Sequence, residues 1–112
     1  MREPNVANPI FSEAPQELRE RFSQLAAQWK RERGPYSSSA RLAAHPAYQQ
    51  IIALGAGVIP LLLEELEHNL DHWFRALHAL TGANPVAAEH NGDLAAMRKD
   101  WLRWGREQGC RR

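Results

Sequence analysis

The chain is short of most of the features that would narrow its function quickly. It has one cysteine, Cys110, third from the C-terminus and followed by two arginines. A lone thiol forms no internal disulfide, which fits a reducing cytoplasm. No apolar run approaches the roughly 20 residues that cross a bilayer, because the longest is broken by Gly57, Pro60 and Glu64. No apolar stretch follows a basic start at the N-terminus either, so the expectation is a soluble, cytoplasmic chain with no membrane partner. Alternation of period two never persists, which excludes strands and leaves an all-α reading.

Catalytic signatures are missing too. Gly55 and Gly57 fall in a turn between helices and not in a phosphate-binding loop. Ser37, Ser38 and Ser39 lack a glycine elbow and read as helix caps. Cys110 has arginine neighbours but no scaffold to orient it. The expectation is therefore a non-enzymatic protein with no catalytic residue, no cofactor and no metal.

What is present organises around residues 45–85. A chain of 112 residues makes one domain that buries roughly two thirds of its unfolded surface, without needing a metal or disulfide staple. Pro4, Asn5, Asn8 and Pro9 mark residues 1–13 as a mobile arm, with Phe11 as an anchor. The domain proper spans 14–109, and 110–112 form a basic tail. Ser12 and Pro15 suit the start of a first helix, in which Leu18, Phe22, Leu25 and Trp29 make one apolar stripe and Gly34-Pro35 the stop. A short helix over 40–44 ends before His45-Pro46.

Three helices are then expected at 46–54, 57–68 and 71–81. The first carries Tyr48, Ile51 and Ile52 inward and ends at Gly55. The second tolerates Pro60 in its first turn and has a wide stripe of Ile59, Leu62, Leu63 and Leu66. The third is capped by Asn69 or Asp71, packs antiparallel to the second, and presents Trp73, Leu77 and Leu80. Asp93 caps a last helix whose Leu94, Met97, Trp101 and Trp104 lie on one face. The four tryptophans are expected mostly in the core of a compact bundle of five to six helices.

Ile52-Ala53-Leu54-Gly55 followed by Val58-Ile59-Pro60-Leu61-Leu62-Leu63 resembles the turn between the paired helices of a HEAT-type repeat. Trp73-Phe74-Arg75-Ala76-Leu77 resembles the next first helix, and Trp101-Leu102-Arg103-Trp104 a closing helix. Over residues 45–109 the chain is similar to small uncharacterised bacterial HEAT-like (armadillo-type) helical-repeat proteins. That resemblance implies antiparallel helix pairs in a minimal, end-capped array and a scaffold that binds other macromolecules.

The charge is uneven. Residues 1–34 carry six basic and five acidic side chains. Residues 35–92 hold only Arg41 and Arg75 against five acids, and 93–112 hold six basic against three acidic. On the acidic centre, Glu64, Glu65 and Glu67 together with Trp73, Phe74 and Arg75 form a candidate partner-binding surface, aromatic and arginine residues being strong interface anchors. Adjacent helical positions point about 100° apart, so Trp73 and Phe74 are either both core or one is partly exposed. The last helix offers the alternative, a nucleic-acid footprint of Arg98, Lys99, Arg103 and Arg106, set against a plain solvated face. His68, His72 and His78 are the one cluster with metal-ligand chemistry. Asn69-Leu70-Asp71 separates the first two, and they read as ordinary loop histidines. The favoured function is a protein-interaction module, either a small inhibitory or immunity (antitoxin-like) partner or an adaptor of a larger bacterial protein.

Overall fold

The computed structural model describes residues 16–34 and 38–109, the side chain of Ser39 excepted. The expected arm with Phe11, the Ser12 and Pro15 helix start, the Pro35 stop, Ser37 and the basic tail with Cys110 lie outside the described residues. Among those described there are six α-helices, two short 3-10 turns and no strand. The chain is an all-α bundle.

The stripe in α1 (Gln16–Glu32) buries Phe22, Leu25, Ala26 and Trp29. Ser38 caps the six-residue α2 (Ser39–Ala44) by accepting the Arg41 N–H. His45 ends α2 and starts α3 (Pro46–Ala53). Its Nδ1 accepts the Ala47 N–H at 3.0 Å, while Pro46 takes the first helical position, where no N–H is needed. Gly55 then adopts φ +92°, in the left-handed region that side chains avoid. The chain direction swings by 103° between α3 and the following segment, a corner more than a hairpin.

A 3-10 turn (Ala56–Val58) leads into α4 (Ile59–His68), where Ile59, Leu61, Leu62, Leu63 and Leu66 are all buried. α6 packs extensively on this helix and α5 also rests on it, while the other extensive packing is between α1 and α3. The apolar run is buried on nearly all sides, but no single helix among the described residues is long and apolar enough to cross a membrane.

The helix expected over 71–81 starts later, as α5 (Phe74–Thr81). Asp71 is not its cap. Its carboxylate accepts the His72 N–H and pairs with Arg33 at 2.7 Å, and that guanidinium also lies 4.3 Å from the Trp29 ring centroid. Asn69 lies in the extended connection after α4 and does not cap α5 either. Gly82 (φ +71°) closes α5, and a second 3-10 turn (Ala88–His90) precedes α6 (Leu94–Glu107), which Asp93 caps through the Ala96 N–H.

An aromatic cluster joins α1, α3 and the residue that precedes α5. Trp73 sits 4.6 Å from Trp29, 5.5 Å from Tyr48 and 5.8 Å from Phe22, centroid to centroid. Such pairs add about 0.5–1.5 kcal/mol each beyond the area they bury. Trp29, Trp73 and Trp101 are buried, and Trp104 is packed against the core from its edge.

Candidate functional site

Because α5 and α6 both lean on α4 but do not pack extensively on one another, a groove remains between them. The segment joining them, residues 82–93, forms one wall, and α3 with the end of α2 closes the far side. The volume is about 720 Å³ and the groove is open to solvent. Ile52, Phe74, Val86, Leu94 and Met97 line it, each only half-buried, while Trp101 is the buried floor. Half-buried side chains from four separate segments converging on one concavity are what a docking site requires.

Its ionisable lining, among the described residues, is one arginine and two histidines. Arg75 is exposed in the groove, His72 half-buried, and His78 exposed. Among the described residues, no aspartate or glutamate lines it. The Nδ1 of His78 lies 2.9 Å from the Ala83 carbonyl. A carbonyl only accepts, so Nδ1 carries the proton and Nε2 is left to accept a hydrogen bond.

The wall is fastened by a cluster that the sequence pattern does not reveal. Asp100, buried in α6, accepts the Ala87 N–H at 3.1 Å and His90 Nδ1–H at 2.6 Å on one oxygen, and Arg103 at 3.2 Å on the other. The hydrogen bond to Asp100 raises the His90 pKa above its ordinary value. The same bond, helped by the Ala87 N–H and the Arg103 charge, holds Asp100 below the usual carboxylate range. An aspartate orienting a histidine is half of a nucleophile-activating arrangement. No serine or threonine hydroxyl is hydrogen-bonded to His90 among the described residues, and the pair serves as a clasp between the wall and α6.

The six side chains expected to form one partner surface are dispersed. Glu64 pairs with Arg19 at 3.0 Å and Glu65 with Lys30 at 2.6 Å, so these two acids face α1 and line a separate cleft. Glu67 is exposed and lines neither concavity. Trp73 is fully buried in the aromatic cluster and drops out of any surface. Only Phe74 and Arg75 reach the groove, Phe74 being the half-exposed member of the adjacent aromatic pair.

On α6, Lys99, Arg103 and Arg106 are exposed and Arg98 is half-buried, with Arg103 held by Asp100. The histidines divide likewise: His72 and His78 line the groove, whereas His68 lies by the other cleft with Nδ1 on the Glu64 carbonyl. No group of three or more metal-ligating side chains converges among the described residues. Compared with protein-family models, curated proteins and solved structures, the chain finds no match.

Proposed function

We propose that this chain is a non-enzymatic protein-interaction module of the cytoplasm, an adaptor or a small inhibitory partner of the immunity kind. Its docking site is the groove between α5 and α6, which takes an apolar segment of a larger protein. One observation carries this reading: Ile52, Phe74, Val86, Leu94 and Met97, from four segments, leave their apolar surface half-exposed around the Trp101 floor. Burying a side chain of that size in full contributes about 1.5–3 kcal/mol. The resemblance of residues 45–109 to HEAT-like repeats supports the same kind of role.

The nucleic-acid reading has less behind it. Arg103 already neutralises Asp100, and Arg98 is partly covered, which leaves Lys99 and Arg106 as a sparse footprint for counterion release.

The test is affinity capture from the native host after nuclease treatment, comparing the wild-type chain with Met97→Arg and with Gln24→Arg, an exposed position on α1. Circular dichroism confirms that each variant is folded. The reading predicts one stoichiometric protein that is lost with Met97→Arg and kept with Gln24→Arg. Equal retention by all three chains contradicts it.

A further inference from the structure

We infer that residues 84–91 form a pH-sensitive flap on the groove, hinged at Gly82 and Gly92 and latched to α6 through Asp100. The flap supplies Asn84, Val86 and Asn91 to the lining, so its position sets how far the Trp101 floor is open. Both hinge glycines stand in the left-handed region, with φ +71° and +87°. A side-chain carbon added at either would meet nothing within 4 Å among the described residues, so packing does not hold these two points. Residues at the ends of elements are where a hinged segment absorbs its change in dihedral angle. At the α5 end His78 holds the Ala83 carbonyl, beside the first hinge. Beyond it, among the described residues, the hydrogen bonds from the flap to α6 both end on Asp100, from the Ala87 N–H and from His90 Nδ1–H.

The latch can release because its carboxylate is served in both states. Asp100 is 1% exposed with the flap closed, and it then accepts from Ala87, His90 and Arg103. With the flap lifted, water takes the place of the first two, and no buried charge is stranded. The charged groups about His90 are Asp100 and, through it, Arg103 on α6, with Glu89 and Asp93 on its own segment. The bond to Asp100 raises the His90 pKa while the flap is closed. The closed state therefore gains most below the ordinary 6.5, and the gain is lost as pH rises through the raised value. A neutral ring still donates from Nδ1, but a hydrogen bond between charged groups is roughly twice as strong as a neutral one. The latch weakens without disappearing. The flap is a property of the chain alone, and its control of partner access rests on reading the groove as the docking site.

The experiment follows the unaltered full chain by NMR from about pH 5 to about pH 9, a range that spans the ordinary histidine value. The His90 ring resonances give its midpoint, expected above 6.5. Hydrogen exchange at the Ala87 amide, referenced to an unstructured peptide at each pH, gives the opening of the flap. Protection of Ala87 should fall by roughly threefold or more across the His90 midpoint, while the Leu62 and Leu66 amides in the buried α4 keep theirs. His90→Gln should hold Ala87 at the lower protection throughout, with no dependence on pH. Ala87 protection that stays flat through the His90 midpoint would overturn the flap. So would a fall shared equally by Leu62 and Leu66, which reports unfolding of the whole chain, or a fall that persists in His90→Gln. The titration of the unaltered chain decides the matter if that variant does not fold. It uses no partner, so the flap and the docking reading fail separately.

Discussion

The hydroxyl of Tyr48 donates to the carbonyl of His72 at 2.9 Å, and it accepts the Ala76 N–H at 3.0 Å. Trp73, at the N-cap position of α5, offers no side-chain acceptor. A phenol from α3 therefore satisfies the first-turn donor that a serine or aspartate cap would serve locally. Burial raises the Tyr48 pKa far above its ordinary value, so the hydroxyl keeps the proton it donates to His72. Tyr48→Phe leaves a buried N–H and a carbonyl short of their partner and should cost about 1–3 kcal/mol. Urea unfolding monitored by circular dichroism checks this, and an unchanged midpoint would contradict the capping role.

Two buried tryptophans differ in their donors. Trp29 Nε1–H donates to the Leu42 carbonyl at 2.9 Å, whereas the Trp73 Nε1 is buried with no hydrogen-bond partner among the described residues. Replacement by phenylalanine removes similar volume at both sites. At position 29 it also strands a carbonyl, and at position 73 it removes an unsatisfied donor. Trp29→Phe should therefore be the more destabilising of the two, by about 1 kcal/mol or more. The comparison is made by parallel denaturation curves, and the reverse order would refute it.

His45 caps α3 with a ring nitrogen. Its Nδ1 accepts the Ala47 N–H, so the ring proton sits on Nε2, 2.9 Å from Glu32 Oε1. His45→Asn should retain most of the stability because asparagine is a strong cap, while His45→Ala should lose about 0.5–2 kcal/mol. Thermal melts of the two variants decide it; indistinguishable melts would show that the cap contributes nothing.

The clasp on the groove wall predicts a pH window. His90, with a raised folded pKa, contributes stability that is complete below its ordinary 6.5 and is lost as pH rises through the folded value. Asp100, with a lowered folded pKa, contributes stability that is complete above its ordinary 3.8 and is lost as pH falls through the folded value. Both contributions coexist between those two ordinary values. The stability gap between wild type and His90→Gln should thus be wider at pH 5.5 than at pH 8.5. A gap independent of pH would remove the ion pair from the account.

Much of the fold is legible in the sequence because its signals are local. Stripes at helical spacing place Phe22, Leu25 and Trp29 inward, and Asp93 and Pro46 mark helix starts by their own chemistry. The misassignments are long-range. Asp71 resembles a cap, but Arg33, 38 residues away, takes its carboxylate while Tyr48 serves α5 from 28 residues away. Glu64 and Glu65 look like an open acidic face until α1 is placed against them. The groove is less legible still, since it arises from two helices failing to pack, and no residue pattern records a missing contact. Phe74 and Arg75 were the visible part of it. Asp100 and His90 lie on different elements, and only the bend at Asn91-Gly92 brings them together.

The most direct measurement places a photo-crosslinking amino acid at Met97 in the groove, or at Gln24 on α1, and irradiates the native host cells. The docking account predicts a single dominant protein adduct from position 97 and none from position 24. No adduct from position 97, or the same adducts from both positions, would contradict it.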